Sequence, residues 1–152
     1  MTNQRSRIQL TGEEQRALIA SARTLQVASL SPGGWPHLVP MWFGVDEEGL
    51  IVFTTYGTSQ KVRNLERDPR ITVLVETGET YDELRGVSIE GRAEIVRNPW
   101  VTAHTGALVS AQRAGAPRPP LPDRSQAPRA TKRVTIRVHP ERTRSWDHRK
   151  IG

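Results

Sequence analysis

Hydrophobic and polar residues alternate with a period of two along most of this chain, which is the pattern of half-buried β-strands. Six segments show the pattern, and they are rich in residues that favour strands, such as Val, Ile and Thr. They cover residues 24–30, 35–45, 50–55, 70–76, 86–96 and 131–144. Because short polar turns containing glycine join the first three segments, these are predicted to form an antiparallel meander.

Three other segments place apolar residues three or four positions apart, which is the spacing of an amphipathic helix. They are residues 12–22, residues 59–68 and a helix that begins at Asn98 and Pro99, with Trp100, His104, Leu108 and Ala111 along one face. Thr11 and Glu14 have the spacing of a capping box, and Ser59 is placed to cap the second helix. Strands outnumber helices and do not alternate with them regularly. The pattern therefore predicts a mainly β fold, a six-stranded antiparallel barrel with peripheral helices.

Prolines mark two segments of the chain. In the second predicted strand, Pro36 and Pro40 share one face, and the other face holds Trp35, His37, Val39, Met41, Phe43 and Val45. Proline has no N–H to donate to a neighbouring strand, so this strand is expected to lie partly at an edge of the sheet. Residues 115–128 contain five of the eleven prolines and show almost no apolar periodicity. This stretch is expected to be a loop or a mobile lid.

The chain has 152 residues and a mass of 17.0 kDa, which predicts a single domain over residues 1–152. The absence of cysteine excludes disulfides, thiolate metal sites and a cysteine nucleophile. The four histidines lack metal-ligand spacing, so no metal site is expected. The N-terminus has no apolar signal core, and the charge-free stretch 24–45 contains prolines and glycines. We therefore expect a cytoplasmic protein that does not enter a membrane.

The net charge of +6 is concentrated near the C-terminus. Residues 1–112 hold 11 basic and 13 acidic residues, whereas residues 113–152 hold 11 basic and 3 acidic residues. Such a local positive field can attract an anionic partner or ligand, although a solvated basic surface has the same composition. Basic residues are not interleaved with an aromatic stacking face, so nucleic-acid binding is not predicted.

Residues 52–65 combine a strand, a turn containing Gly57 and the start of a helix. Hydroxyl groups and free backbone amides converge at such a junction, and the helix dipole favours negative charge there. Lys61 lies in the first helical turn, where its ammonium group can close over an anion. The sequence therefore predicts a phosphate site, and the alternative is an ordinary capped surface helix. The residues expected to share the outer face of this helix are Gln60, Arg63, Asn64 and Arg67.

Six runs of residues are distinctive in composition and in order. They are VASLSPGGWPHLVP at 27–40, FTT at 53–55, SQKVRNLERDPR at 59–70, SIEGRA at 88–93, KRVTIRV at 132–138 and SWD at 145–147. Together they resemble the pyridoxamine-phosphate-oxidase-like flavin and deazaflavin oxidoreductases, and more narrowly the B-type branch that uses the deazaflavin coenzyme F-420. The resemblance covers approximately residues 11–150. It implies a homodimeric split β-barrel with two equivalent cofactor sites in grooves between the subunits.

The resemblance also implies which residues contact the cofactor. The ring would be lined by His37, Val39, Pro40 and Met41, partly through backbone groups, and the phosphate and ribityl end would be held by Thr54, Thr55, Ser59, Gln60, Lys61 and Asn64. Hydride transfer is performed by the cofactor ring, so no side chain is assigned a catalytic role. Trp35 and Trp146 are the two tryptophans expected near the ring.

The implied function is transfer of a hydride from reduced coenzyme F-420 to a small organic acceptor. F-420 continues beyond its phosphate into an oligoglutamate chain. Arg63, Arg67 or the basic C-terminal segment of a partner subunit could supply cations for its carboxylates. Two alternatives stay open: an FMN-dependent oxidoreductase of the same fold, and a deazaflavin-binding carrier without efficient turnover. The sequence does not identify the acceptor.

Overall fold

The computed structural model describes residues 3–152, and its strands form a seven-stranded antiparallel sheet. In chain order the strands are β1 (Thr24–Leu30), β2 (Pro36–Trp42), β3 (Gly44–Val45), β4 (Ile51–Tyr56), β5 (Arg70–Thr77), β6 (Arg85–Val96) and β7 (Arg133–Asp147). Their order across the sheet is β2-β1-β5-β6-β7-β4-β3. The mainly β, antiparallel architecture predicted from the alternating pattern is confirmed.

The sheet curls into a split barrel because its two outermost strands are consecutive in the chain. β2 pairs with β1 at one end of the order, and β3 pairs with β4 at the other. Only Phe43 separates β2 from β3, and its side chain is fully buried. The prediction of one continuous strand over residues 35–45 is wrong, since a single straight strand cannot pair with both ends of the sheet. The break changes the strand count from six to seven.

β2 lies at an edge of the sheet, as its two prolines predict. Its side chains alternate between half-buried and exposed positions. The half-buried residues His37, Val39 and Met41 lie directly opposite the buried residues Ser29, Val27 and Leu25 of β1. This face of β2 therefore points into the barrel, and the proline-bearing face points outward.

β7 is longer than predicted and extends to Asp147 instead of ending at residue 144. Its last residues pair with the start of β6, where Gly86 lies opposite Trp146. A Cβ atom at residue 86 would lie 2.3 Å from the indole ring, so glycine is required for the close approach of Trp146. Asp147 donates its backbone N–H to the carbonyl oxygen of Ile8 at 2.7 Å. These contacts tie the end of the chain to its beginning.

Alternate residues of most strands face inward and form the core of the barrel. The largest fully buried side chains include Phe43, Phe53, Leu25 and Ile136. Val62 and Leu65, from the helix that follows β4, join the same cluster, as their spacing predicts. Burial of a large apolar side chain contributes about 1.5–3 kcal/mol, so this cluster holds the helix firmly against the barrel.

Within residues 3–152, four α-helices accompany the sheet: α1 (Gln4–Arg7), α2 (Gly12–Ser21), α3 (Gln60–Arg67) and α4 (Pro99–Ala114). Two short 3-10 helices cover Tyr81–Glu83 and His148–Lys150. The N-caps predicted at Thr11 and Ser59 are confirmed, and Asn98, at the predicted start of the third helix, is also an N-cap. Thr11 and Glu14 form a reciprocal capping box. The side chains of Ser59 and Asn98 accept hydrogen bonds from N–H groups in the first turns of α3 and α4. In the part of the chain that the structure describes, the helices are too short or too polar to span a bilayer.

The buried face of α4 differs from the predicted one. It consists of Thr102, Thr105 and Leu108, whereas Trp100 and His104 are only partly buried. The hydroxyl of Thr135 on β7 lies 3.1 Å from the hydroxyl oxygens of both Thr102 and Thr105. Because α4 covers a polar patch of the sheet, apolar spacing alone does not identify its buried face.

Gly44 allows α4 to approach β3 closely. A Cβ atom at residue 44 would lie 3.0–3.1 Å from backbone and Cβ atoms of Leu108. We expect Gly44→Ala to lower the free energy of unfolding by about 1–3 kcal/mol, because the helix or the strand must shift. Chemical denaturation measures this change.

Gly106→Ala is the matched control for Gly44→Ala. Outside its own helix backbone and chain neighbours, a Cβ atom at residue 106 meets no described atom within 4 Å. Since alanine also favours a helix, this substitution should be neutral or stabilising. A neutral result for Gly44→Ala itself would contradict the close packing of α4 on β3.

Candidate functional site

The end of β4, the turn that follows it and the first turn of α3 bring several polar groups together. The ammonium group of Lys61 donates a hydrogen bond to the hydroxyl oxygen of Thr55, with an Nζ–Oγ1 distance of 2.9 Å. The Thr55 hydroxyl lies 3.4 Å from that of Ser59, which caps α3. The backbone N–H groups of Gln60 and Lys61 are in the first helical turn, where no helical carbonyl is available to them. Hydroxyls, amides and an ammonium group thus meet at this place, which we call the Lys61 junction.

A second cation, Arg133, lies close enough to the Lys61 junction for its charge to act on Lys61. It is the first residue of β7 and pairs with Tyr56, the last residue of β4. Its guanidinium carbon lies 4.4 Å from the centre of the Tyr56 ring. The preceding residue, Lys132, accepts a hydrogen bond from the N–H of Gly57 at 2.9 Å. Within residues 3–152, neither Lys61 nor Arg133 forms an ion pair with a carboxylate.

The surroundings of Lys61 disfavour its positive charge. Burial lowers the pKa of the ammonium group below 10.5, and the neighbouring charge of Arg133 lowers it further. Because the folded pKa is below the unfolded value, the charge costs stability at neutral pH. That cost disappears as the pH rises through the folded pKa towards 10.5. A bound anion would oppose both effects by supplying a counter-charge.

The substitution Arg133→Gln should raise the pKa of Lys61 towards 10.5, because it removes the neighbouring positive charge and leaves the burial unchanged. A pH titration of the lysine side-chain NMR signals measures this shift. Arg63→Gln is the matched control, since Arg63 is exposed on the same helix and is not a cause of the lowered pKa. An unchanged Lys61 titration in Arg133→Gln would show that the two cations do not interact.

Buried polar side chains connect α3 to β1 behind the Lys61 junction. Asn64 is completely buried, and its Nδ2 donates a hydrogen bond to the hydroxyl oxygen of Ser29 at 3.0 Å. Its Oδ1 accepts a hydrogen bond from Gln60 at 2.8 Å. The expected outer-face position of Asn64 is therefore wrong, because this side chain satisfies a buried hydroxyl inside the barrel.

His37 lies at the same end of the barrel. It is directly opposite Ser29 in the register of β1 and β2, on the inner face. Its Nδ1 atom is buried and has no hydrogen-bond partner among the described residues. Buried polar atoms without a partner are uncommon in folded proteins. This nitrogen is therefore available to a ligand.

Two of the predicted site residues lie on other faces of the sheet. Thr54 points away from Thr55, because neighbouring residues of a strand face opposite sides. It lines a crevice of about 310 Å³ next to α4, together with Arg129 and Arg133. Pro40 lies on the exposed face of β2, whereas His37, Val39 and Met41 are on the inner face. Thr54 and Pro40 thus point away from the hydroxyls of the Lys61 junction, whereas Arg133 lies on the Thr54 face at the end of the strands, where its charge still acts on Lys61.

The two arginines named for the oligoglutamate chain lie in different surroundings, and so do the two tryptophans named for the ring. Arg67 donates a hydrogen bond to the carbonyl oxygen of Leu30, whereas Arg63 is exposed on α3. Arg63 is therefore the better placed of the two for a ligand carboxylate. Trp35 is exposed just before β2, and Trp146 is half-buried against Gly86.

Two residues of this region are absent from the sequence prediction. Arg133 is far from Lys61 along the chain, and only the pairing of β4 with β7 brings it there. The sequence alone could have identified Ser29 as a candidate. It continues the inward alternation of Leu25 and Val27, and a polar residue at such a buried position is unusual.

The fold and the Lys61 junction define a class of protein, a split β-barrel with hydroxyls, free amides and an ammonium group gathered at one end. The family described as pyridoxamine 5'-phosphate oxidase matches residues 11–147. The chain belongs to this family, which is the broader family that its residue runs resemble. Members of this family are generally flavin-binding split-barrel oxidoreductases.

Solved structures support the same fold. A conserved hypothetical protein from Mycobacterium tuberculosis is 40% identical, with a TM-score of 0.84 over 99% of this chain and 93% of that chain. An F420 reductase is 26% identical, with a TM-score of 0.63 over 88% of this chain and 98% of that chain. A FAD-binding protein from Mesorhizobium loti is 16% identical, with a TM-score of 0.67 over 90% of this chain and 94% of that chain. At this identity the likeness shows the fold alone. No curated protein sequence matches the chain.

Proposed function

We propose that this protein is an oxidoreductase that transfers a hydride from reduced coenzyme F-420 to a small organic acceptor. The observation on which this proposal rests is the Lys61 junction, where an ammonium group without a carboxylate partner in residues 3–152 meets the hydroxyls of Thr55 and Ser59 and lies within reach of the charge of Arg133. Membership of a family of flavin-binding oxidoreductases supports a redox cofactor. A phosphate, which FMN and F-420 share, suits this pair of charges. A cytoplasmic location is part of the same proposal.

The described residues suit a phosphate-bearing flavin or deazaflavin at two places. At the first, the hydroxyls of Thr55 and Ser59 and the ammonium group of Lys61 can hold a phosphate. At the second, the unpartnered Nδ1 of His37 can form a hydrogen bond with a polar edge of the ring. Ser29 lies between the two places, since it faces His37 and binds α3 through its buried hydroxyl.

When bound, coenzyme F-420 supplies a hydride from its deazaflavin ring. The chain itself must hold the phosphate, orient the ring and exclude water. The half-buried side chains of Val39 and Met41, on the same face as His37, would provide an apolar surface for the ring. This chemistry needs no side-chain nucleophile, so we assign no catalytic residue.

The preference for F-420 over FMN depends on cations beyond the phosphate. F-420 continues into an oligoglutamate chain with several carboxylates, whereas FMN ends at its phosphate. Arg63 is exposed two residues after Lys61, on the same helix. The likeness to an F420 reductase supports the same preference. The alternatives are an FMN-dependent oxidoreductase and a deazaflavin carrier.

Titration of the purified protein with F-420 and with FMN tests the cofactor assignment. We expect tighter binding of F-420. A screen of quinones, enones, nitroaromatics and tetrapyrroles should then reveal an acceptor through the spectral change that accompanies oxidation of reduced F-420. Tight binding of FMN without binding of F-420 would refute the deazaflavin assignment. Binding of F-420 without turnover on any acceptor would favour the carrier.

We also propose that the functional unit is a homodimer that uses the outer face of β2. This face exposes Leu38 and Trp42, whose exposed fractions are 64% and 55%, and Trp35 precedes it with 79%. A group of large apolar side chains along an edge strand is typical of an interaction surface. The resemblance that implies cofactor grooves between subunits leads to the same expectation.

The substitution Leu38→Glu should convert the dimer to a monomer, because it places a charge in an apolar interface. Sedimentation velocity measures the change. Leu121→Glu is the matched control, since Leu121 is similarly exposed, at 70%, but lies in the proline-rich stretch. A dimer that persists in Leu38→Glu would place the interface elsewhere on the barrel.

A further inference from the structure

A crevice distinct from the Lys61 junction lies between α2, α4 and the start of the proline-rich stretch. Its volume is about 530 Å³, which lies within the range of small-molecule binding sites. Both helices, β3 and the proline-rich stretch contribute its apolar surface, which includes Ile19, Ala20, Val45, Leu108, Ala111, Ala116 and Pro119. None of the residues of the Lys61 junction lines this crevice.

Three arginines surround the apolar surface. Arg16 and Arg23 lie on one wall, and Arg118 approaches from the proline-rich stretch on the other. The residues that line the crevice include no aspartate or glutamate. Across residues 3–152, none of the three arginines forms an ion pair with a carboxylate. Glu47 is the carboxylate near Arg118. Burial raises the pKa of Glu47, whereas its 2.6 Å hydrogen bond with His104 and the charge of Arg118 lower it. Glu47 does not line the crevice.

The two helices that form the crevice are held together by one side chain. Nε2 of Gln112, on α4, lies 2.8–3.1 Å from the carbonyl oxygens of Ile19, Ala20 and Ala22. Arg23 is held at the rim by a hydrogen bond of 3.0 Å to the carbonyl oxygen of Ser21. The walls are thus positioned before a ligand arrives, and such preorganisation lowers the entropic cost of binding.

We propose that this crevice binds an organic anion with an apolar body, such as a medium-chain aliphatic carboxylate. The apolar surface would cover the hydrocarbon, and the guanidinium groups would pair with the carboxylate. Exposed ion pairs are individually weak, so the apolar body supplies most of the affinity and the arginines select the sign of the charge. Through Arg118, the ligand would also contact the proline-rich stretch. This site goes beyond the cofactor site and does not depend on it.

Isothermal titration of the full chain with decanoate tests the proposal. We expect saturable binding of one decanoate per subunit. Decyltrimethylammonium, which has the same hydrocarbon chain and the opposite charge, should bind at least about tenfold more weakly. Lys61→Ala should leave the decanoate affinity unchanged, which separates this site from the proposed cofactor site.

Two kinds of variant locate the binding. Ala20→Trp and Ala116→Trp fill the crevice from opposite walls at exposed positions and should abolish binding, whereas Ala114→Trp, also exposed but outside the lining, should not. Replacing Arg16, Arg23 and Arg118 with glutamine should weaken decanoate binding at least about tenfold. The charge-matched control replaces three other exposed arginines, Arg5, Arg7 and Arg142, with glutamine, and its decanoate affinity should be unchanged.

Circular dichroism confirms that each variant is folded. Absence of saturable decanoate binding would overturn the proposal, and so would equal binding of the cationic probe. Unchanged binding by Ala20→Trp and Ala116→Trp would place the ligand elsewhere and would also overturn the proposal.

Discussion

Replacing Lys61 with alanine is expected to weaken the binding of F-420 and FMN by about ten- to a hundredfold. The Thr55 hydroxyl holds this ammonium group at 2.9 Å, at the place where we propose the phosphate binds. A charge-assisted hydrogen bond is worth about 1.5–3 kcal/mol, which corresponds to that range of affinity. Fluorescence titration with each cofactor measures the loss.

Two controls show whether the lost affinity comes from the contact with the phosphate. Riboflavin has the ring of FMN but no phosphate, so Lys61→Ala should hardly change its affinity. Lys150→Ala removes the same charge from an ion pair with Glu14 and should leave all three affinities unchanged. Equal weakening of riboflavin and FMN by Lys61→Ala would contradict the phosphate assignment.

Replacing Asn64 with alanine is expected to lower the free energy of unfolding by about 2–4 kcal/mol. The side chain is completely buried, so the substitution leaves a cavity. It also removes the partner of the buried Ser29 hydroxyl, which then loses its 3.0 Å hydrogen bond to the Asn64 amide. Urea denaturation measures the change in stability.

A double-mutant cycle with Ser29→Ala isolates the contact between Asn64 and Ser29. We expect a coupling energy of about 1 kcal/mol, because the two side chains share a buried hydrogen bond. Gln60→Ala is the matched control. Gln60 is exposed and donates its hydrogen bond to Oδ1 of Asn64, whereas Ser29 is bound by Nδ2. It should cost no more than about 1 kcal/mol. Additive effects of Asn64→Ala and Ser29→Ala would show that the contact does not connect α3 to β1.

Local features of the fold were predictable because they depend on neighbouring residues. The capping box of Thr11 and Glu14 and the caps at Ser59 and Asn98 follow from spacings of two or three residues. The edge position of β2 follows from the missing N–H groups of its prolines. The meeting of Ser59 and Lys61 at the start of α3 could be read in the same way, since one helical turn contains both.

The features that were missed depend on pairing between distant parts of the chain. The alternation continues through Phe43 without a signal, although the strand breaks there to join both ends of the sheet. The same limit applies to charge. The excess of basic residues after residue 112 suggests a basic tail, yet Arg144 and Lys150 pair with Glu90 and Glu14 from earlier in the chain.

By itself, the sequence determined most of the strands, the three longer helices and their caps, the mainly β class and the family, because periodicity, cap chemistry and residue runs are written along the chain. The tertiary structure decided which residues become neighbours. It brought the charge of Arg133 within reach of Lys61 and buried Asn64 against Ser29. The physical reason is that strand register and barrel closure depend on contacts across the whole sheet, and a shift of one residue in any strand reverses its faces.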